Sequence, residues 1–186
     1  MTRARVVGIL GGIIAAITIV QPAGAAGITS SIKAIVIHRS DLGADYEKVF
    51  TGASPQPLWD MGPILHMNAW RNHGYLGDWA SRFGHDTAGA RHQMDGQISS
   101  NVDAYSSPAN AHWAFLRERK AYKTAAPVSV ATVGDESTAF GSPGQWTIIV
   151  FRQGRYLGIV VGNDRDHLPS RVLGLALVMD GRARIR

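Results

Sequence analysis

Apolar positions come first as an unbroken run, Val6 to Val20, and afterwards at spacings that switch between strand and helix periods. The run follows Arg3 and Arg5 and is closed by Gln21-Pro22 and the small residues Ala23-Gly24-Ala25. A basic start, an apolar middle and a small-x-small end make up a secretory signal, with the cut expected after Ala25. The run is shorter than the ~20 residues an α-helix needs to cross a bilayer. The expected division is a signal peptide over 1–25 and a single globular α+β domain over 26–186. Retention of the apolar segment as an anchor is the alternative. The chain has no cysteine to carry a lipid, and Arg3 and Arg5 are not adjacent, so neither a lipoprotein anchor nor a twin-arginine route is indicated.

Beyond the signal, Ala34-Ile35-Val36-Ile37 suggests a short strand, and Tyr46 to Thr51 a second extended piece. Gly52 to Pro57 breaks regular structure, and Ile64, Leu65, Met67 and Trp70 favour a helix within 59–72. Tyr75, Trp79 and Phe83 fit either period, but Gly74, Gly77 and Gly84 tilt the reading to strand, since each interior glycine costs a helix about 1 kcal/mol. Over 94–105 the alternation is clean. Met94, Ile98 and Val102 share one face, and Gln97, Ser99, Asn101 and Asp103 the other, the mark of a half-buried strand. Ser107-Pro108 then starts a helix, with serine at the N-cap and proline in the first turn. It is expected to run to about Thr124, with stripes Ala109/Trp113/Leu116 and Ala111/Phe115/Tyr122.

A hairpin follows. Gln145 to Arg152 places Trp146, Ile148 and Val150 on one face and Ile149 and Phe151 on the other; after Gln153-Gly154 the chain returns over 155–161. Such a strand, apolar on both sides, belongs in the middle of a sheet. Pro169 opens the last helix, whose stripe is Val172, Leu175, Ala176, Met179 and Ala183. The order is strand, strand, helix, twice over. It predicts an α+β fold, an antiparallel sheet built of hairpins with helices packed on one face.

Absence of cysteine excludes disulfides and zinc–thiolate sites, so an exported domain of this size must rely on packing. Cleavage would remove Arg3 and Arg5 from a formal charge of +5. The remaining surplus lies in short patches, Arg117-Glu118-Arg119-Lys120 and the tail 182–186, which read as solvated helix faces rather than a nucleic-acid stripe.

The segments Asp41-Leu42-Gly43-Ala44-Asp45-Tyr46, Tyr105-Ser106-Ser107-Pro108-Ala109, Val133-Gly134-Asp135-Glu136-Ser137 and Val150-Phe151-Arg152-Gln153-Gly154 follow one another in a characteristic order. Over roughly residues 40 to 180 the chain resembles small secreted or lipid-anchored bacterial domains of the extracytoplasmic sensor type. The extracellular sensor domains of mycobacterial serine/threonine kinases of the PknH kind are the example. The resemblance implies a non-catalytic domain. It carries over no functional residue, and this chain lacks the cysteines, kinase and membrane span of those proteins.

Candidate chemistry starts with histidine. His66, His73, His85 and His92 fall in one quarter of the chain, with Asp86 beside His85. Histidine and carboxylate are ordinary zinc ligands, but no pair has the three- or four-residue spacing of one helix face and H-E-x-x-H is absent. A G-x-S-x-G elbow is also missing. Ser137 could meet His167 only through the fold. Asp135 and Glu136 suit a turn better than an acid/base pair, and no phosphate-loop motif occurs. Among five tryptophans, Trp113 and Trp146 read as core, and Trp59 is the best candidate for an exposed aromatic. No catalytic, cofactor-binding or metal-ligating residue is assigned. The expectation is a secreted or periplasmic sensor-like domain binding an unknown ligand or protein, with no nucleic acid and no membrane anchor once cleaved. The alternatives are a small extracytoplasmic hydrolase, metal-dependent or not, and an envelope-associated structural protein.

Overall fold

A computed structural model describes residues 23–53, 72–85 and 96–186. In chain order the elements are α1 (Ala23–Ile35), β1 (Tyr46–Gly52), β2 (Tyr75–His85), β3 (Gln97–Tyr105), α2 (Pro108–Ala121), β4 (Ala126–Pro127), β5 (Glu136–Ser142), β6 (Trp146–Gln153), β7 (Tyr156–Asn163) and α3 (Pro169–Arg184). Single 3-10 turns lie at Arg39–Asp41 and Asp164–Asp166. The strands form one sheet, β1-β2-β3-β7-β6-β5-β4, in which every neighbouring pair is antiparallel. The predicted α+β class and antiparallel sheet are what the fold contains.

The hairpin β6–β7 occupies the centre, as its doubly apolar pattern requires. Ile149, Phe151, Tyr156 and Val160 enter one core cluster; Ile148, Val150, Leu157, Ile159 and Val161 enter the other. Two apolar faces need two covers, and the helices divide accordingly. Helices α1 and α3 cover the first face through Ile32, Ile35, Val172, Ala176 and Met179, and α2 covers the second through Ala111, Ala114 and Phe115. The helices therefore do not share one face. Burial of β6 and β7 on both sides already demanded this.

Local expectations fare unevenly. Ser107 accepts a hydrogen bond from Asn110 N–H at 3.2 Å, capping α2. The helix stops at Ala121, and only its Ala111/Phe115 stripe is core; Leu116 is exposed. Trp113 and Trp146 are half-buried at the cluster's rim rather than inside it. The stripe of α3 is buried at every predicted position. The expected strand at 34–37 is instead the end of α1 and the chain just beyond it, and the expected cut after Ala25 falls in that helix's first turn. The β-branched run Ile35-Val36-Ile37 reads locally as a strand, but it is buried here as the tail of a helix. Its exit is fixed by serines inside the core: Ile37 N–H donates to Ser100 Oγ at 3.0 Å, and Ser81 Oγ donates to Ile37 O at 2.7 Å. The helix expected within 59–72 and Trp59 lie outside the described residues.

Candidate functional site

Three segments far apart in sequence meet at the open end of β1 and β2. Tyr46, first residue of β1, pairs directly across from His85, last residue of β2, and their ring centroids are 3.9 Å apart. The turn between β7 and α3 lays Asp166 against both. Tyr46, His85 and Asp166 are all buried. The Tyr46 hydroxyl donates to Asp166 Oδ1, His85 Nε2 lies 3.2 Å from Asp166 Oδ2, and Arg171 Nε, in the first turn of α3, is 3.0 Å from Asp166 Oδ1. Arg171 also donates to the Tyr46 oxygen at 2.6 Å. One buried carboxylate thus meets a hydroxyl and an imidazole by hydrogen bonds and a guanidinium by an ion pair, which is how a buried charge is made tolerable.

The surroundings are built to hold this arrangement. Gly96, at φ 88°, leaves no room for a side chain: a Cβ there would lie 2.6 Å from Arg165 Cγ, 2.7 Å from Asp166 Oδ2 and 3.0 Å from His85 Cδ2. On the other side, Arg182 of α3 grips Asp41 with two hydrogen bonds, at 2.7 and 2.8 Å, and donates to Val36 O at 2.9 Å. Burial pushes the Asp41 carboxyl up, but the hydrogen bonds from Arg182 and from His38 N–H outweigh it and hold its pKa below the usual range. Arg39 then donates to Gly43 O at 2.6 Å and Ala44 O at 2.7 Å, fixing the turn that presents Asp45.

Above this floor opens a cleft of about 400 Å³ lined by Asp45, Tyr46, His85, Arg165, Asp166 and Arg171, with Gly43 and Leu168 at its margin. His85 Nδ1 lies 2.9 Å from Asp45 Oδ2, near enough for an ion pair but out of line for a hydrogen bond. Arg165 Nη2 is 3.6 Å from the same oxygen. For Tyr46, burial first and Asp166 second raise the hydroxyl pKa to about 12, against the opposing pull of Arg171. Chemically the cleft offers an imidazole oriented by a buried acid, with two partly exposed guanidinium groups beside it.

A second polar group lies under the sheet's other face. Asp78 and Asp103 are direct cross-strand partners and both are buried, as are Asn101 and Glu118. Asn101 Nδ2 donates to Asp103 Oδ1 at 2.6 Å. Burial, then the neighbouring Asp78 charge, pushes the Asp103 carboxyl well above its usual range. The polar side of β3, expected to face water, is interior.

Of the described residues singled out from sequence as candidate chemistry, His85 alone reaches the cleft. Its acids are Asp45 and Asp166; Asp86, His66 and His92 lie outside the described residues. His73 stacks on Trp113 with centroids 3.7 Å apart. Ser137 Oγ accepts from Val133 N–H at 3.0 Å, while a ring nitrogen of His167 meets Asp164 O, so their bonds lead to different places. Asp135 and Glu136 both hold Arg152, and Glu136 also meets His112 Nδ1 at 2.7 Å, a clamp between β5, β6 and α2. Among the described residues, no group of three or more His, Asp or Glu side chains could hold a metal ion. Tyr46, Asp166, Arg165 and Arg171 were missed.

No family model matches the chain, and no curated protein matches it. Among solved structures, the extracellular domain of PknH from Mycobacterium tuberculosis is similar, with a TM-score of 0.61 at 10% identity, over 84% of this chain and 96% of that one. At this identity the likeness is one of fold, and it is to the sensor-type domain that the sequence segments resemble.

Proposed function

We propose that the chain is an exported, non-catalytic binding domain of the sensor type whose ligand occupies the cleft over His85. The observation that carries this reading is His85 Nδ1, a buried ring nitrogen without a hydrogen-bond partner at the base of an open cleft. An unsatisfied buried polar atom costs about 1–3 kcal/mol, which a hydrogen-bonding group on a bound molecule would recover. Arg165 and Arg171, partly exposed beside it, supply further donors that a ligand can reach.

Likeness of fold to an extracellular domain supports an extracytoplasmic setting. The three-part segment 1–25 supports export with cleavage after Ala25, and such a cut leaves Ile32 and Ile35 in the core. Among the described residues no helix is long and apolar enough to cross a membrane. An intact mass starting at Ala26 is the expected product of export; a mass starting at Met1 refutes cleavage.

A hydrolase remains as the second reading because His85 is held by Asp166 as a general base is held in a dyad. The described lining, however, contains no serine, threonine or cysteine nucleophile. Native mass spectrometry of the exported protein tests the binding reading. A non-covalent small-molecule adduct is expected on the wild type and lost from the Arg165→Ala/Arg171→Ala variant. An adduct equal in both, or none in either, overturns it.

A further inference from the structure

Asp45 differs from every other charged residue of the cleft. Asp166 is enclosed, with two hydrogen-bond partners and an ion pair to Arg171, whereas the Asp45 side chain is 64% exposed and touches the site through one oxygen. That oxygen sits 2.9 Å from His85 Nδ1 without aligning for a hydrogen bond and 3.6 Å from Arg165 Nη2, beyond hydrogen-bond reach. It offsets the Arg165 charge without a hydrogen bond to either nitrogen. We propose that Asp45 is a displaceable internal carboxylate, and that the ligand of the cleft carries a carboxylate that takes its place between His85 and Arg165. This rests on the reading of the cleft as a binding site and names the chemistry it accepts.

Three features support it. First, the turn that carries Asp45 is pinned by backbone acceptors, with Arg39 bonded to Gly43 O and Ala44 O, so the carboxylate can swing out while the turn stays in place. Second, once Asp45 leaves, the described lining holds two guanidinium groups and an imidazole against the single carboxylate of Asp166, which is already held by Tyr46, His85 and Arg171. The vacated position is therefore anion-seeking. Third, a free carboxylate, not tethered to a turn, can approach Arg165 in the paired geometry that guanidinium favours and, where His85 carries both ring protons, can turn one oxygen into line with Nδ1. Asp45 acts as a competitor built into the chain. It keeps the cleft neutral when empty and sets a threshold that a ligand must exceed.

Titration of the purified protein with acetate tests this at low salt, where charge effects are least screened. Asp45→Ala is expected to bind acetate at least tenfold more tightly than wild type, and adding Arg165→Ala is expected to abolish that gain. Asp45→Asn, which keeps shape without charge, is expected to show the same gain and serves if the alanine variant does not fold. An unchanged affinity in both Asp45 variants, a gain that survives Arg165→Ala, or tighter binding of inorganic phosphate than of acetate overturns the proposal. If acetate fails while the native adduct still depends on Arg165 and Arg171, displacement alone is refuted. If that dependence is absent as well, the cleft is refuted with it.

Discussion

Replacing Asp166 with alanine removes the one acceptor shared by Tyr46, His85 and Arg171, and the three donors lose it unequally. Arg171 is 39% exposed and regains water, so its loss is small. Tyr46 and His85 are buried, and their donors would face a cavity. Hydrogen bonds to a charged group contribute about 1.5–3 kcal/mol each, and stripping one partner from a buried charged network typically costs about 3–5 kcal/mol. Asp166→Ala is therefore expected to lose about 3–5 kcal/mol. Asp166→Asn keeps a carbonyl oxygen for Tyr46 and Arg171 and is expected to lose about half as much. Urea denaturation followed by tryptophan fluorescence reads both, provided the slope of the transition is unchanged. A loss under about 1 kcal/mol for the alanine variant, the size of an ordinary surface pair, would refute the view that Asp166 organises the cleft floor.

Tyr46 ties stability to alkaline pH. Its folded pKa, near 12, lies above the ordinary tyrosine value of about 10, so its contribution is full below about pH 10 and is lost as pH rises through 12. Wild type should lose more stability across that window than Tyr46→Phe; equal losses count against the assignment. At the acid end, burial raises the Glu136 carboxyl, but hydrogen bonds from His112 and Arg152 outweigh it and set its pKa below 4.5. Its contribution is present above pH 4.5 and disappears as pH falls through the lowered value, so Glu136→Gln should flatten that part of the acid stability profile. Gly158 lies under the Phe151 ring, where a Cβ would come within 2.3 Å of it. Gly158→Ala is expected to cost about 1–3 kcal/mol by overpacking, measured by thermal unfolding, and Phe151→Leu in the same chain should relieve part of it.

Elements specified by their own neighbours were legible in the chain. Trp146 to Val161 shows the hairpin by alternation, Ser107-Pro108 starts a helix by capping chemistry, and Val172 to Ala183 shows its buried stripe. Features that depend on what packs against them were not. Ile35-Val36-Ile37 looks like a strand until the sheet beneath α1 is in place. Ser99, Asn101 and Asp103 alternate as a solvent face should, yet all three are buried. The helices were placed on one face although the same reading put β6 and β7 in the middle, with two faces to cover. The cleft was hidden most thoroughly. His85 was picked out among four histidines, but its buried acid lies 81 positions away, and the Tyr46–Asp166 bond spans 120. No local spacing encodes such a meeting. It follows from the β1–β2 register and the turn after β7.

The measurement closest to the central claim is a nuclear magnetic resonance map of binding, using a library of small polar fragments on the purified protein. The largest shifts are expected on Tyr46, His85, Arg165, Asp166 and Arg171, with the His85 ring nitrogens among them. Shifts gathered instead at the apolar hollow between Trp146 and Pro169, or no binder anywhere on the domain, would contradict it.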